Sequence, residues 1–409
     1  RRVHGERSLI LMITYVSSTT FKWQPQQKMA AAAGILANSF PSLSHSYFNA
    51  KSFNRTTCLT QSFYETSCPL KSTLSTKFPS ICATSNKNAI TVSSPDVLTW
   101  SEIKSKSRKW MWNGQYSINY FVSDGPNTDS ISPPLLLVHG FGASIPHWRR
   151  NINTLSRQSP VYAIDLLGFG ASEKPRNFTY TMESWAQLIL DFLNEVVQKP
   201  CVLVGNSVGS LACVIAASGA LPESTKEQII GLVLLNCSGG MNNKAVIDDW
   251  RIKLLLPLLW LIDFLLNQRP IASAIFNRVR QRETLKGILE SIYGNKEAVD
   301  EELVEIIRVP AEEEGALEAF VSIVTGPAGP NPVKLMGSIE VPVLVLWGNK
   351  DTFTPMDGPV GKYFATLPET LPNVSLRVLD GVGHCPHDDD PASVHRYLLP
   401  WLTHLSALP

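Results

Sequence analysis

The sequence predicts an α/β protein: a mostly parallel sheet with helices on both faces and one helical insertion. Three observations predict it. Short apolar runs recur between residues 135 and 379, most are followed by Gly, Asp or Asn and then by helical periodicity, and one long segment breaks the rhythm. Continuous apolar strands that alternate with helices are typical of a parallel sheet buried on both faces.

Composition narrows the class of protein. The chain has 409 residues, of which 44% are hydrophobic and 17% charged. These values exclude disorder along the whole chain, collagen-like repeats and a small disulfide-rich scaffold. Residues 1–95 hold 10 Lys or Arg against 2 acids, which leaves 26 bases and 33 acids in the remainder. The folded part is therefore mildly acidic, and nothing in its charge favours nucleic-acid binding.

The first 109 residues precede the predicted domain. We expect residues 1–28 to be translated upstream sequence, because Met29 begins the stretch Met-Ala-Ala-Ala-Ala. Residues 29–95 contain 21 Ser or Thr, five basic residues and one acid. This composition is typical of an organelle transit peptide, with a plastid-like processing site at Ile81-Cys82-Ala83. We therefore predict a chloroplast transit peptide over 29–83 and a flexible segment over 84–109; a plain disordered tail is the alternative.

Two absences in the sequence bear on cofactors and membranes. The four cysteines after the leader show no metal-ligand spacing and are expected to be buried or free thiols: Cys201, Cys213, Cys237 and Cys385. Neither a P-loop nor a GxGxxG motif occurs, so nucleotide chemistry has no support. No apolar run reaches the roughly 18 to 20 residues of a membrane-spanning helix. A soluble or peripheral protein is the expectation.

The elements follow in order along the chain. The predicted strands are Leu135–Val138, Val161–Ile164, Cys201–Val204, Leu232–Leu235, Val343–Trp347 and Val374–Leu379. Helical periodicity follows at Met182–Val197 and Val208–Ala217. We predict two halves of one core, 110–238 and 337–409, separated by a helical lid over 239–336 with helices at Glu301–Ile307 and Gly315–Ile323.

A nucleophile motif lies between the third strand and the next helix. Residues 205–209 read Gly-Asn-Ser-Val-Gly, a GxSxG match in which Ser207 must occupy a tight strand-to-helix turn. A helix N-cap serine is the alternative role. The flanking strand and helix favour a nucleophile.

A serine nucleophile needs a base and an acid that orients the base. In this kind of fold the order along the chain is Ser, then acid, then His. His384 stands on a loop just past a strand, whereas His387 is expected in a loop and His395 and His404 on the last helix. Asp351 follows the strand Val343–Trp347 and is the predicted acid.

Backbone amides complete the predicted site. Stabilisation of a tetrahedral oxyanion requires N–H donors, and the candidates are the amides of Val208, after the nucleophile, and Phe141, after the first predicted strand. No cofactor or metal is expected, since serine acyl transfer needs none. His139 is expected to be structural. His384 and Asp389 also match an HxxxxD spacing known from acyltransferases, but three consecutive aspartates make that match weak. Asp390 before Pro391 is better explained as a helix N-cap.

The lid contains a strongly apolar stretch. Among the fifteen residues Ile252–Leu266 only Lys253 and Asp263 are charged, and Pro257 also argues against a membrane span. Three interpretations remain open: packing against the core, a wall for a long hydrocarbon, or an interfacial segment on a bilayer.

Four blocks of the sequence resemble a known family. They are Leu137–Arg150, Val204–Ala212, Asn236–Ala245 and Gly381–Pro386, of which the third, with its Gly-Gly-Met-Asn-Asn-Lys-Ala lid entry, is the most distinctive. From about Trp112 onward the chain resembles the chlorophyll dephytylases, plant enzymes of the α/β-hydrolase fold that are related to pheophytinases.

That resemblance implies a chloroplast enzyme, peripheral to the thylakoid membrane, that hydrolyses the phytyl ester of chlorophyll to chlorophyllide and phytol. It assigns Ser207, Asp351 and His384 as the catalytic triad. Chlorophyll or a related phytylated pigment would be the substrate, and the lid would contact the membrane. The open alternatives are a pheophytin-selective esterase, a lipid acyltransferase and, outside enzymes, a ligand receptor that keeps the triad.

Overall fold

The short apolar runs of the sequence form the strands of one eight-stranded sheet. The computed structural model describes residues 97–123, 125, 132–221, 226–242 and 260–406. The strands are β1 (Arg108–Trp112), β2 (Tyr116–Val122), β3 (Leu135–Val138), β4 (Val161–Ile164), β5 (Cys201–Asn206), β6 (Ile229–Leu235), β7 (Val343–Gly348) and β8 (Val374–Leu379). Their order across the sheet is β1-β2-β4-β3-β5-β6-β7-β8. All pairs from β4 to β8 are parallel, and β2 is antiparallel to both β1 and β4.

Helices connect these strands and build the lid. The helices of the described residues are α1 (Trp100–Lys106), α2 (Ile152–Ser156), α3 (Met182–Phe192), α4 (Val208–Ala217), α5 (Arg269–Val279), α6 (Arg282–Ile292), α7 (Glu301–Arg308), α8 (Ala316–Thr325), α9 (Pro332–Leu335), α10 (Pro359–Thr370), α11 (Pro386–Asp389) and α12 (Pro391–Ser406). Residues 260–266 are also helical. A π turn, Leu193–Val197, extends α3, and 3-10 turns lie at Ile145–Trp148, Lys226–Gln228, Lys296–Ala298, Pro310–Glu312 and Met336–Ser338.

The sheet is buried on both faces, which is why its central strands have no polar alternation. One apolar cluster includes Leu136, Leu203 and Trp185, and a second includes Leu137 and Val204. Neighbouring residues of a strand therefore enter opposite clusters, as the pleat requires. The predicted α/β class with a mostly parallel sheet is confirmed.

The sequence expectation for the region before β3 needs correction. Residues 97–109, expected to be part of a flexible segment, contain α1 and the start of β1. A capping box between Thr99 and Glu102 begins α1, and the buried side chain of Ile103 attaches it to the core. The antiparallel pair β1 and β2 was not predicted, because β1 lies at the sheet edge, half-exposed and without an apolar run.

Some expectations fall outside the described residues. These are the upstream sequence, the transit peptide, and residues 243–259, which include most of the apolar stretch of the lid. Helices α5 to α9 lie between β6 and β7 in the chain, where the helical insertion was expected. Among the described residues, no helix is both long and apolar enough to cross a bilayer.

Candidate active site

A sharp turn between β5 and α4 carries Ser207. Its backbone has φ +56° and ψ −120°, a conformation that is strained for a residue with a side chain. Gly209 permits the tight packing of this turn, because a Cβ there would lie 2.4 Å from the carbonyl oxygen of His139. The predicted strand–turn–helix context is present, and the Ser207 side chain reaches a cavity lined largely by the lid.

His384 lies on the loop between β8 and α11 and connects two of the predicted residues. Its Nε2 is 2.9 Å from Ser207 Oγ, and its Nδ1 is 2.7 Å from Asp351 Oδ2. A carboxylate only accepts hydrogen bonds, so this arrangement assigns the proton to Nδ1 and leaves Nε2 to accept from the serine hydroxyl. The loop is held from two sides, since the His384 amide donates to Ile292 of the lid and its carbonyl accepts from Asn206.

Asp351 is a fully buried carboxylate with a complete set of donors. Besides His384 it accepts from the side chains of Asn236 and Thr354 and from the amides of Phe353 and Thr354. Burial by itself raises the pKa of Asp351, but the charge and hydrogen bond of His384 and the bonds from Thr354 outweigh it and hold the pKa below its ordinary value. The acid is thus ionised and fixed in place.

Asn236 is a site residue that the sequence did not reveal as one. It follows β6 with φ +43°, donates to Asp351 Oδ2 over 2.6 Å and accepts from the Gly348 amide over 2.9 Å. The first bond orients the acid, and the second holds the Asn236 side chain in place. Asn236 begins one of the four blocks that carry the family resemblance, but nothing in that block assigns it a contact with the acid.

The two predicted oxyanion donors border the nucleophile. The β3–α2 loop approaches it closely, because a Cβ at Gly140 would lie 3.2 Å from Ser207 Cβ. Phe141 follows Gly140 in this loop, and Phe141 and Val208 both line the cavity beside Ser207. Within the described residues neither amide N–H has a hydrogen-bond acceptor, so both remain available to a ligand oxygen.

The remaining polar groups near the loop are structural, which was expected for His139. His139 Nε2 accepts from the Leu166 amide and its Nδ1 lies 2.7 Å from the Gly140 carbonyl oxygen, so both ring nitrogens are used. Burial lowers the pKa of His139, which keeps it neutral. The Asp165 carboxylate accepts from the amides of Ile145 and Ala171 and shapes the loop after β4.

The other histidines after Ser207, and Asp380, take no part in the hydrogen-bonded chain of Ser207, His384 and Asp351. His387 is buried in α11 rather than in a loop, where its ring packs on Trp148 at 4.0 Å, and burial lowers its pKa to about 3. His395 and His404 are on α12, as expected. Asp380 follows β8 and accepts from Asn349.

Three consecutive aspartates precede α12 and have different contacts. Asp390 is the expected N-cap, because it accepts from the Ser393 amide. The Asp389 carboxylate accepts from the amides of Gly383, Gly294 and Asn295 at 2.6 to 2.8 Å. These bonds join the loop of His384 to the lid. Asp389 therefore has a structural task that the HxxxxD spacing does not describe.

A cavity of about 380 Å³ opens at Ser207 and His384. This volume is within the usual range for small-molecule sites. The lid supplies most of its wall with apolar side chains, including Ile262, Ile275, Phe276, Leu289, Ile292 and Phe320. The site therefore combines a polar reacting centre with an apolar chamber.

The described end of the apolar lid stretch has side chains in three different surroundings. Leu266 is buried, Ile262 lines the cavity, and Trp260, Leu261 and Phe264 are exposed by 69%, 39% and 50%. Trp260 and Phe264 stack on one another with ring centroids 5.9 Å apart. This aromatic pair is exposed on the outer surface of the lid helix.

Comparison with known proteins gives a family match over most of the described chain. The pattern of the alpha/beta hydrolase fold matches residues 133–391. An uncharacterized hydrolase of Bacillus subtilis (strain 168), YugF, is 27% identical over 64% of this chain and 88% of its own length. The chloroplastic pheophytinase of Arabidopsis thaliana is 24% identical over 72% of this chain and 66% of its own length.

Solved structures agree on the architecture. A membrane phospholipase A matches with a TM-score of 0.55 and 22% identity, covering 74% of this chain and 87% of that one. The epoxide hydrolase CorEH matches with a TM-score of 0.57 and 18% identity, covering 73% and 99%. At these identities the likeness concerns the fold.

Proposed function

We propose, from the premise that this chain belongs to the alpha/beta hydrolase family, that it is a serine esterase acting on a hydrophobic ester. One observation carries the proposal: Ser207, His384 and Asp351, far apart in sequence, form one continuous hydrogen-bonded chain at the mouth of an apolar cavity. A strained backbone at Ser207 and a buried, fully bonded carboxylate at Asp351 are costly to maintain unless they serve chemistry.

The proposed reaction begins with acyl transfer to the enzyme. Ser207 Oγ attacks the ester carbonyl carbon while His384 Nε2 takes the hydroxyl proton, and Asp351 stabilises the resulting imidazolium. The carbonyl oxygen becomes an oxyanion that accepts from the amides of Phe141 and Val208, each worth about 3 kcal/mol of barrier. The C–O bond then breaks, and the leaving alkoxide takes the proton from His384.

Hydrolysis of the acyl-enzyme completes the cycle. A water molecule gives one proton to His384 and attacks the acyl carbon, and the same two amides hold the second oxyanion. Collapse releases the acid and returns the proton to Ser207 Oγ. This route needs neither a metal ion nor an organic cofactor, because water is the only co-reactant.

The substrate that we propose is the phytyl ester of chlorophyll, with chlorophyllide and phytol as products. An apolar cavity at the nucleophile suits a long hydrocarbon, and the four sequence blocks resemble chlorophyll dephytylases. The similarity to a protein named pheophytinase points to the same substrate class. A pheophytin-selective esterase is the nearest alternative, since it differs only in the central magnesium of the pigment.

We propose a chloroplast location with peripheral contact to the thylakoid membrane. The Ser- and Thr-rich, acid-poor leader supports the compartment. The exposed Trp260, Leu261 and Phe264 support the membrane contact, because aromatic and aliphatic side chains on an exposed helix favour the bilayer interface. Phytylated pigments are themselves confined to the membrane.

One experiment tests this function. Purified protein and the Ser207→Ala variant are incubated with chlorophyll, pheophytin, or a lysophospholipid with acyl-CoA, and the products are separated by chromatography. We expect multiple turnovers of chlorophyll by the wild type and none by the variant. The variant should still bind the pigment, which quenching of its tryptophan fluorescence would show. Turnover by Ser207→Ala would reject the nucleophile, while a new phospholipid product would favour an acyltransferase. A single slow round with every ester would favour a receptor.

A further inference from the structure

Arg280 differs from the other cationic side chains of the cavity. Three cations line it: Lys174, Arg280 and Arg308. Lys174 pairs with Glu313 at 2.6 Å, and Arg308 pairs with Glu305 at 2.7 Å. Among the described residues no carboxylate lies within 4.0 Å of the Arg280 guanidinium, whose protein contacts are a 3.4 Å bond to the Ala311 carbonyl and the face of Phe276 at 6.0 Å.

The position of Arg280 is at a junction of two cavities. It is the C-cap residue of α5, and together with Phe276 and Ala311 it borders both the chamber at Ser207 and a second cavity of about 230 Å³. The acids of that second cavity have other partners: Glu313 has Lys174, Glu314 has Arg176 and Glu318 has Arg269. The Arg280 guanidinium at the junction is therefore not paired with any of these three acids.

A guanidinium on an apolar wall has unused donors in a fixed planar arrangement. Five N–H groups in a fork suit a carboxylate or two neighbouring carbonyl oxygens, and such bonds strengthen where water is excluded. Asp263 also lines the cavity but already has an interaction partner. As a cation at the C-terminus of α5, Arg280 also stabilises the helix dipole. That role depends only on its position in the chain and does not explain why its side chain faces two cavities.

We infer that Arg280 is a specificity-determining residue that binds a carbonyl or carboxylate oxygen carried by the substrate away from its scissile ester. The inference rests on the proposed esterase and narrows its substrate class to hydrophobic esters with a second, oxygen-bearing group. In a phytylated chlorin such oxygens are the carbonyls of the isocyclic ring. A plain alkyl ester has none.

The test compares esters that carry a carboxylate at increasing distances from the scissile bond with plain alkyl esters of equal length. One series comprises p-nitrophenyl monoesters of dicarboxylic acids of increasing length, each compared with the p-nitrophenyl ester of the alkanoic acid of equal length. A mirrored series of butyrate esters of ω-hydroxy acids and of the matching alkanols places the carboxylate on the alcohol side. For wild type, Arg280→Met and Arg269→Met, kcat and KM are measured across both series.

We expect the wild type to prefer the carboxylate ester over its alkyl partner by roughly tenfold in kcat/KM within one window of chain length, mainly through KM. Arg280→Met should remove this preference. Arg269→Met, whose guanidinium pairs with Glu318 on the rim of the second cavity, should keep it. No preference at any length in either series, or a preference that survives in Arg280→Met, overturns the inference.

The outcome is separable from that of the proposed function. Loss of the preference in Arg280→Met supports the inference even if the wild type leaves chlorophyll intact, in which case the pigment assignment fails alone. Conversely, a wild type that turns over chlorophyll but shows no preference for the carboxylate esters supports the pigment assignment and rejects the role of Arg280.

Discussion

At the scale of single residues, the site depends on an acid whose charge is held by neighbours. Asp351 is buried, yet its pKa is lowered, because His384 and Thr354 together outweigh the effect of burial. Removing the charge while keeping the shape of the side chain therefore isolates what the charge does. An amide at this position would favour the imidazole tautomer that cannot accept from Ser207.

We expect Asp351→Asn to lower kcat for a soluble ester by roughly 10⁴-fold. The control is Asp380→Asn, since Asp380 is exposed after β8 and, among the described residues, its side chain accepts only from Asn349; the kcat of this variant should match the wild type. Steady-state hydrolysis of p-nitrophenyl butyrate measures both. Activity of Asp351→Asn within tenfold of the wild type would remove Asp351 from the mechanism.

The stability difference between wild type and Asp351→Asn has a pH dependence of known sign. A carboxyl whose folded pKa is depressed stabilises the fold above its unfolded pKa of about 3.9, and this contribution is lost as pH falls through the folded value. The free energy of unfolding should therefore differ between wild type and Asp351→Asn at neutral pH, and the difference should shrink below about pH 4. Denaturant unfolding at several pH values measures it, and a difference that grows with acidity contradicts the lowered pKa.

Local signals account for which site residues the sequence revealed. Ser207 was predictable because strand, turn and helix are contiguous around it, and His384 and Asp351 because each follows a strand end. Asn236 and Arg280 were not, since their roles depend on which strand or helix lies beside them in space. Asn236 reaches Asp351 only because β6 and β7 are neighbours in the sheet.

At the scale of elements, the loop of His384 is held in place by the lid. Asp389 accepts from Gly383 on this loop and from Gly294 and Asn295 after α6, so one carboxylate fixes both segments. Loss of it would leave three amide donors without acceptors and release the loop next to the base. Small displacements of a general base lower the rate strongly.

We expect Asp389→Ala to lower kcat for p-nitrophenyl butyrate by roughly tenfold to a hundredfold. Asp389→Asn, which keeps one acceptor oxygen, should recover part of the loss. The adjacent Asp390→Ala is the matched control: it removes the N-cap of α12 and should cost about 1 kcal/mol of stability without changing kcat. Equal effects of Asp389→Ala and Asp390→Ala on kcat would show that Asp389 has only a general structural role.

The strands that were predicted and those that were missed differ in burial. Strands β3, β5 and β7 are buried at every position, so their apolar runs are continuous. Strand β1 is exposed or half-exposed at four of five positions. An edge strand of this kind is stabilised by its pairing with β2, and that pairing leaves no pattern within the strand itself.

At the scale of the whole molecule, the lid has an anchored part and an outward part. Arg149, fully buried beneath it, binds Asp300 at the start of α7 and Asp388 in α11 at 2.7 and 3.0 Å. The apolar cluster that includes Leu289, Leu303 and Cys385 reinforces this junction. Residues 260–266, in contrast, present aromatic side chains to the outside. We propose that these exposed side chains, rather than the anchored part of the lid, contact a membrane.

We expect the double variant Trp260→Ser/Phe264→Ser to bind uncharged phosphatidylcholine vesicles roughly tenfold more weakly than the wild type, because two aromatic side chains no longer enter the interface. Neither side chain lines the cavity, so turnover of p-nitrophenyl butyrate in solution should persist. Val378→Ser is the control, since Val378 is exposed by 48% against 50% for Phe264 but lies on β8, far along the chain from the lid. Vesicle co-sedimentation measures the binding. Unchanged binding of the double variant, or an equal loss in Val378→Ser, would mean that Trp260 and Phe264 do not form the membrane contact. Access to an ester in the lipid phase would then have to occur elsewhere on the molecule.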